Sequence, residues 1–375
     1  MIEKRHPLPV QTLGTAREIV SYHYGACANA RKVYIQSSLH ADELPGMLVS
    51  HLLRQRLAEL EADGALPGEV VVVPVANPLG LDQHLAGTHV GRFEFDSREN
   101  FNRNYPDLRA LIGPALPGSL GADPEENTRT LRRLMREALA GLRPQMQTQL
   151  QALRTTLLTL ACDADLVLDL HCDCEAVLHV YAADAQWPDV EPLARYLGAQ
   201  TTLLASESGG NPFDEACSQT WYTLAQEYAG RIPVAANGCV ALTVELRGQG
   251  DVAYAQAQAD TDAIIAYLAR QGHVARPAPP LPELEHPATP LAAVEPIKAT
   301  CSGVVVYRCQ VGDDLEPGDA VADIVDPLRA TATPLVSEHG GRLFARQLQR
   351  FATAGETIAK VAGRTAYRSG DLLSA

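Results

Sequence analysis

Five short runs of aliphatic and β-branched residues, separated by stretches with helical periodicity, constrain the fold of this chain most. They read KVYIQS at 32–37, EVVVVPV at 69–75, DLVLDL at 165–170, AVLHVY at 176–181 and VALTVEL at 240–246. Runs of this length that are apolar almost throughout are typical of strands buried on both faces. Their alternation with helical segments predicts an α/β fold in which helices cover both faces of one sheet.

Helical patterns fill the intervals between these runs. Residues 44–61 and 260–271 show the amphipathic spacing of helices that pack on a core. Two more helices are predicted at 123–142 and 146–157, because Pro144 interrupts the leucine spacing between them. We interpret this pair as a hairpin that covers the sheet.

A proline-rich segment divides the chain near its last fifth. Residues 276–296 read RPAPPLPELEHPATPLAAVEP, and prolines at this density disfavour both helices and central strands. We therefore expect a catalytic domain at 1–275, a linker at 276–296 and a small all-β domain at 297–375. The last segment has short strands between glycine-containing turns, as in the sandwich of biotinyl and lipoyl carrier domains. A carrier function is not predicted, because its lysines, Lys298 and Lys360, are not on an exposed hairpin.

Charge and hydropathy exclude several classes of function. The net charge of −14 argues against a nucleic acid as the main partner, and the whole excess of negative charge lies before residue 297. No stretch approaches the 18–20 or so apolar residues of a membrane span. The first residues, MIEKRHPLPV, lack the apolar core of a signal peptide, and the eight cysteines show no paired CxxC spacing. We therefore expect a cytoplasmic protein without a membrane partner.

Polar residues follow two of the predicted strands and suggest a metal site. His40 and Glu43 come after the first run, where a strand gives way to a helix, and His171 ends the third run in DLHCD. The carboxyl ends of neighbouring strands in such a sheet meet at one edge. Two histidines and one carboxylate leave an open position for water, which is the catalytic arrangement of zinc.

A single carboxylate interrupts the fifth run. Glu245 lies among apolar residues in VALTVELRG, and a buried unpaired carboxylate is costly. One interpretation is a general base beside the metal. The alternative is a structural ion pair with Arg247, which lies two residues further along on the same face of the strand.

An arginine-rich stretch between the strands is unusual in so acidic a domain. In GRFEFDSRENFNRNYPD, Arg92, Arg98, Asn102 and Arg103 bring cations and donors close together. The planar guanidinium matches carboxylates and oxyanions, so the stretch predicts recognition of an anionic substrate. The alternative is a solvated loop with local ion pairs, which suits Arg98 better than the other three.

Taken in order, five motifs resemble one known family. HADELPG, NPLG, ENFNRNYPD, DLHCD and TVELRG are similar to the succinylglutamate desuccinylase/aspartoacylase group of the zinc carboxypeptidase superfamily, over roughly residues 30–275. The small β domain also resembles the C-terminal domain of that group. The resemblance implies a three-layer α/β/α fold with a mixed, carboxypeptidase-like sheet. It also implies one catalytic zinc per chain, held by His40, Glu43 and His171.

The same resemblance assigns roles to the other polar residues. Glu245 would act as the base and later as the proton donor, and Asn102 with Arg103 would bind a substrate carboxylate. Arg92 is the best match to the arginine of the family that stabilises the oxyanion. Arg98 remains the alternative, because the spacer after Arg92 is longer than usual.

Together these features predict a zinc-dependent amidohydrolase. Its substrate would be a small N-acyl amino acid or a related linear amide that carries a carboxylate. One alternative is a metallocarboxypeptidase that acts on peptides, and another is a non-catalytic binding protein that keeps the fold. The sequence leaves open whether copies of the chain associate.

Overall fold

The structure is a computed structural model that describes residues 1–25 and 31–373. Within residues 1–275 it contains the following elements: β1 (Ile2–Pro7), β2 (Glu18–Tyr24), β3 (Lys32–Ser37), α1 (Pro45–Ala62), β4 (Glu69–Val73), α2 (Pro78–Leu81), β5 (His84–Leu85), β6 (Thr88–His89), α3 (Leu108–Ile112), α4 (Pro124–Leu142), α5 (Gln149–Ala161), β7 (Leu166–Asp173), β8 (Glu175–Ala176), β9 (His179–Ala182), α6 (Trp187–Leu197), β10 (Thr201–Leu204), α7 (Phe213–Glu227), β11 (Val240–Gly248) and α8 (Tyr254–Arg270).

The remaining elements are short strands. They are β12 (Thr289–Pro290), β13 (Val294–Lys298), β14 (Gly303–Tyr307), β15 (Asp314–Leu315), β16 (Ala320–Asp326), β17 (Thr331–Val336), β18 (Gly341–Arg346), β19 (Phe351–Ala352) and β20 (Thr357–Ala362). We refer to residues 294–362, from β13 to β20, as the C-terminal module.

A mixed sheet of nine strands organises the first part of the chain. Its order is β1-β2-β4-β3-β7-β11-β9-β10-β12. Strands β4, β3, β7 and β11 are parallel, whereas β9 runs antiparallel to β11 and β2 runs antiparallel to β4. The carboxyl ends of β3, β7 and β11 therefore lie side by side at one edge of the sheet.

Alternating side chains of the central strands divide the core into two layers. Val33 and Ile35 pack in a cluster with α1, α6 and α8, and Tyr34 packs in another with α4, α5 and α7. The period of two in a strand sends neighbours to opposite faces. Helices therefore cover both faces of the sheet, as the alternation of runs predicts, and the fold is a mixed α/β fold.

Four of the five predicted strands form as single strands, and the fifth is divided. The run 176–181 is not one strand, because β8 pairs with β18 of the C-terminal module while β9 pairs with β11 of the main sheet. Between them, the Val177 backbone N–H donates to the Phe344 carbonyl at 2.9 Å. The run is apolar almost throughout because it contributes to two sheets. Strands β1 and β2 were not predicted, since their sequences mix polar and apolar residues.

The C-terminal module contains two sheets that enclose a core. One sheet has the order β13-β20-β18-β15, with β8 added beside β18, and the other has the order β17-β16-β14-β19. Residues from both sheets share one buried cluster that includes Val305, Ile324, Leu343 and Val361. This is the β-rich C-terminal region that the turn-rich sequence predicts.

The proline-rich segment has no helix or strand over residues 276–288, where it follows the surface of the first part, and its last residues enter β12 and β13. In it, Pro279 and Pro282 accept hydrogen bonds from Tyr196 and Arg195 of α6. Within residues 1–25 and 31–373 we find no helix with the length and apolar character of a membrane span. All seven cysteines in those ranges are free thiols, and Cys27 lies outside the described residues.

Candidate active site

The three central strands deliver polar side chains to the same edge of the sheet. His40 follows β3, while His171 lies on β7 and Glu245 lies directly beside it on β11, in the register of the parallel ladder. Ser38, just after β3, has a left-handed φ of 62°. Such strained residues cluster at functional sites, and here the turn brings His40 back over the strand ends.

His40, Glu43 and His171 form a buried group, which we call the His–Glu–His cluster. Nδ1 of His40 lies 2.8 Å from Glu43 Oε1, and Nδ1 of His171 lies 2.7 Å from Glu43 Oε2. The three side chains are at most 4% exposed. Their candidate ligand atoms all lie within 4.8 Å of one another, and no second such group occurs among the described residues.

The surroundings of the cluster fit a metal ion. His40 Nε2 lies 2.8 Å from Asn100 Oδ1, and His171 Nε2 lies 2.9 Å from Asp169 Oδ2. The acceptor at Nε2 of His40 keeps the proton on that nitrogen and leaves the lone pair of Nδ1 facing the cluster, as in most histidine metal ligands. At His171 the Asp169 carboxylate makes an ion-pair contact with Nε2. The carboxylates of Glu43 and Asp169 add negative charge at this buried position, which a bound cation would offset.

The pKa values of the cluster describe its charge state in the absence of a metal. Burial and the nearby Arg92 guanidinium lower the pKa of His40 and favour the neutral imidazole, which is the form that binds a metal. Burial by itself would raise the pKa of Glu43, but the two imidazoles outweigh this effect and lower it. Burial by itself would lower the pKa of His171, but the Asp169 and Glu43 carboxylates outweigh this effect and raise it well above its usual value. Without a metal this imidazole therefore carries a proton, which zinc would displace on binding. Imidazole nitrogen and carboxylate oxygen are donors that zinc accepts.

Glu245 faces the cluster without a structural partner. Its Oε2 atom is buried and accepts no hydrogen bond from the described residues. Burial and the neighbouring Glu43 carboxylate raise the pKa of Glu245 to about 8. Arg247 does not pair with it, since its guanidinium forms a bidentate ion pair with Asp260 of α8 at 2.9 Å. The alternative of a Glu245–Arg247 ion pair is therefore wrong.

The arginine-rich loop places three of its four polar residues at the site. Arg92 Nη1 lies 3.2 Å from His40 Nδ1 and 3.4 Å from Glu43 Oε1. Gly91 allows this approach, because a Cβ there would lie only 2.3 Å from the Asp42 backbone nitrogen. Arg98 lies on the exposed turn between the paired residues Phe93 and Asn100, away from the cluster.

Asn102 and Arg103 are buried in the wall next to α7. The Phe213 backbone N–H donates to Asn102 Oδ1 at 2.8 Å, so the amide is oriented with Nδ2 available to a ligand. Arg103 Nη1 donates to the Asn102 carbonyl at 2.7 Å. Gly210 packs against the Arg103 side chain, where a Cβ would lie 2.6 Å from Cδ.

A cavity of about 650 Å³ joins most of these residues, with Glu43 and Arg98 outside its lining. Both parts of the molecule line it, the main sheet with its loops on one side and the C-terminal module on the other. The lining includes His40, Arg92, Asn102, Arg103, His171, Asp173, Tyr181 and Glu245 from the first part, and Lys298, Phe344, Gln347, Thr357 and Lys360 from the module. A volume of this size accommodates a small molecule with polar groups at several points.

Sequence reasoning missed several of these residues. Asp169 could have been found, because it lies two positions before His171 and therefore on the same face of β7. Asp173 carries the same signal, two positions after His171 on β7, whereas Asn100 and Tyr181 carry no local signal of their role. Lys360 appeared poorly placed in an apolar strand, and only the packing of the module against the main sheet brings its side chain to the cavity.

Comparison with known proteins gives a consistent result. The sequence model described as the succinylglutamate desuccinylase/aspartoacylase catalytic domain matches residues 29–270. No curated protein matches the chain.

Several solved structures share the fold over nearly the whole length. A protein from Shewanella amazonensis assigned to the succinylglutamate desuccinylase/aspartoacylase family is 26% identical, with a TM-score of 0.84 over 96% of this chain and 98% of the other. A counterpart from Shewanella frigidimarina is 24% identical, with a TM-score of 0.84 over 96% and 97% of the chains. The product-bound ectoine utilization protein EutE (DoeB) from Ruegeria pomeroyi is 17% identical, with a TM-score of 0.66 over 97% and 95%.

Proposed function

The chain belongs to the succinylglutamate desuccinylase/aspartoacylase family, and from this premise we propose that it is a zinc-dependent amidohydrolase. Its substrate is a small N-acyl amino acid, or a related linear amide that carries a carboxylate. The observation that carries the proposal is the convergence of the His–Glu–His cluster, Glu245 and Arg92 on one cavity.

The His–Glu–His cluster supplies the ligands for the zinc ion. Nδ1 of His40, Nδ1 of His171 and the carboxylate of Glu43 would hold it, one ion per chain. When bound, zinc supplies Lewis-acid polarisation of the amide carbonyl and lowers the pKa of a water molecule toward neutrality. Asn100 and Asp169 keep the two imidazoles in the orientation that ligation requires.

Glu245 transfers the proton. Its unpartnered Oε2 accepts a proton from the attacking water and then donates it to the leaving nitrogen of the amide. Burial raises the pKa of this carboxylate, which favours the form that carries the proton between the two steps.

The arginine-rich loop binds the charged parts of the substrate. Arg92, beside the cluster, donates to the oxygen of the amide as negative charge develops there. Arg103 and Asn102, on the wall next to α7, bind the carboxylate that the substrate carries in both its ground and its transition state.

We also propose the finer architecture that the sequence predicts. The division at 275 and 296 separates the catalytic domain from a small barrel sandwich of the biotinyl and lipoyl type. Two sheets around one core in the C-terminal module support this assignment.

A substrate screen tests the proposed function. Purified protein loaded with zinc is assayed against a panel of N-acyl amino acids and, in parallel, a panel of peptides, with release of free amine as the readout. We expect hydrolysis of N-acyl amino acids. Loss of C-terminal residues from peptides without any deacylation would instead indicate a metallocarboxypeptidase. Binding without turnover on either panel would indicate a non-catalytic protein.

A further inference from the structure

The C-terminal module forms a polar wall of the cavity and contains an unusual choice of cation. The whole chain has four lysines against 27 arginines. The only two lysines of the module, Lys298 and Lys360, both line the cavity. A chain that uses arginine for nearly every other cation retains lysine at this wall, where a compact ammonium group occupies less space than a planar guanidinium.

Lys360 is held in place by the main sheet. It lies in the centre of β20, paired with Pro296 of β13 and Ala345 of β18. Its ammonium group crosses to the first part of the chain and donates to Asp173 Oδ2 at 2.6 Å. The Cys174 backbone N–H donates to Asp173 Oδ1 at 2.8 Å and orients that carboxylate. A long flexible side chain is thus anchored at one defined point of the cavity wall.

The Lys360 ammonium group retains capacity for a ligand. Lysine has three N–H donors, and Asp173 is the one acceptor for them within the residues that the structure describes. The side chain is 33% exposed, and it borders the part of the cavity lined by Tyr181 and Glu245. Two donors can therefore bind an anionic group of a substrate while Asp173 holds the third.

Cationic side chains on two walls of the cavity can bind different parts of the substrate. Arg103 lies on the wall next to α7, whereas Lys360 lies on the wall of the C-terminal module. In the proposed function Arg103 and Asn102 bind the carboxylate of the amino acid. On the wall of the module Lys298 is exposed, whereas Lys360 is held in place by Asp173 and is therefore the better-placed cation for the acyl part. We propose that Lys360 determines acyl specificity by binding a terminal carboxylate of the acyl chain. This inference rests on the proposed function for the orientation of the substrate.

Two substrates of equal chain length test the inference. Wild type and Lys360→Met are compared on the N-succinyl and N-butyryl derivatives of one amino acid, which differ by a terminal charge. We expect kcat/KM for the succinyl substrate to fall roughly 10- to 100-fold, the effect of losing one hydrogen bond between charged groups. For the butyryl substrate we expect a change below about threefold, since no such bond forms. An equal loss on both substrates would overturn the inference and leave the proposed function intact.

A second lysine and a second variant provide the controls. Lys4 lies exposed on β1, and Lys4→Met should leave both substrates unaffected. Lys360→Met leaves Asp173 without its partner and can cost stability, so Asp173→Asn/Lys360→Met removes both charges together. The double variant should show the same selective loss on the succinyl substrate. A double variant that still prefers the succinyl substrate would also overturn the inference.

A binding measurement separates this inference from the proposed function. Succinate and butyrate are titrated into zinc-loaded wild type and Lys360→Met by calorimetry. We expect succinate to bind wild type more tightly, and the advantage to disappear in Lys360→Met. If wild type hydrolyses no N-acyl amino acid yet shows this dependence on Lys360, the proposed function fails and the anion site stands. If the advantage persists in Lys360→Met, the anion site fails.

Discussion

The two sides of the cavity are built by different means. On the side of the main sheet, the groups that hold the His–Glu–His cluster come largely from residues 40–43 and 169–171, which lie at the ends of two strands paired directly in one sheet. On the side of the C-terminal module, Lys360 reaches Asp173 across 187 positions. Arg346 likewise reaches Glu175 across 171 positions.

We infer from this difference that the main sheet carries out the chemistry and that the C-terminal module selects the substrate. Strand ends hold side chains rigidly, so the groups that must be positioned within a fraction of an ångström lie there. The module adds a wall that can change without disturbing the cluster. We therefore expect large losses from changes on the main-sheet side, whatever the substrate, and smaller effects from changes at the module.

The largest effect is expected from the metal ligands. His171→Ala removes one of three ligands, so the protein should lose zinc and with it all measurable activity, while circular dichroism shows a folded chain. Asp169→Asn is the matched control on the same strand. It should weaken metal affinity by only about 10- to 100-fold, because it disturbs the orientation of His171 and not the ligand itself. Full zinc occupancy in His171→Ala would contradict the site.

The next largest effect is expected from the base. Glu245→Gln keeps the shape of the side chain but cannot accept a proton, so turnover should fall by roughly 10²–10⁴ while zinc content is unchanged. The measurement is kcat on zinc-loaded protein, with metal analysis of the same sample. A variant within tenfold of wild type, about 1.4 kcal/mol in the barrier, would place the base elsewhere.

Variants of the arginine-rich loop should distinguish loss of substrate binding from loss of the chemical step. Arg92→Ala removes a donor that acts as the oxyanion forms and should lower kcat by roughly 10²–10³. Arg103→Ala removes a contact made equally in both states and should mainly raise KM. Arg98→Ala, at the exposed turn, is the control and should be nearly silent. A loss of kcat in Arg98→Ala with a silent Arg92→Ala would reverse the two assignments.

The same comparison explains what the sequence could predict. Strand runs, the HxxE spacing and the lone carboxylate in β11 are local patterns, and each reports directly on a buried strand or its end. Family membership, the mixed α/β fold and the proximity of His40, Glu43 and His171 are accordingly confirmed. The roles of Glu245, Arg92, Asn102 and Arg103 remain predictions that the kinetics above would test.

Other features depend on contacts between distant segments. The division of residues 176–181 between two sheets arises because β8 pairs with β18, which no local pattern signals. Lys360 shows the same limit, since an apolar strand with one lysine gives no indication of what the lysine faces. The sequence suggested an ion pair between Arg247 and Glu245, two residues away. Arg247 instead pairs with Asp260 on α8, which accepts two hydrogen bonds from the guanidinium.

A smaller effect is expected where the module is attached to the main sheet. Glu175 on β8 accepts from Arg346 and Arg350 of the module, each at 2.6 Å. Glu175→Gln should lower the free energy of unfolding by about 1–2 kcal/mol, the value of hydrogen bonds to a charged group. Glu137→Gln is the control, since its ion pair with Arg133 on α4 is exposed and should contribute under about 0.5 kcal/mol. If Glu175→Gln and Glu137→Gln change the urea midpoint equally, the contacts of Glu175 with the C-terminal module do not stabilise the protein.

The smallest effect concerns a buried histidine at the same junction. His179 on β9 is fully buried, packs edge-on against Phe344 of the module, and has its Nδ1 atom 2.8 Å from the Val177 carbonyl. Burial lowers the pKa of His179 to about 4, while the facing charges, Asp173 and Lys360, act in opposite directions.

The lowered pKa of His179 determines how its contribution to stability changes with pH. Below the unfolded value of about 6.5, the unfolded chain binds a proton that the folded chain excludes, so the contribution of His179 to stability falls as the pH is lowered. From pH 6.5 to pH 5.5 the loss should be roughly 1 kcal/mol. His179→Asn, whose amide can replace the Nδ1 donor, should flatten the decline, whereas the exposed His51→Asn should leave it unchanged. Parallel declines in wild type and His179→Asn would show that other groups set the acid sensitivity of the junction.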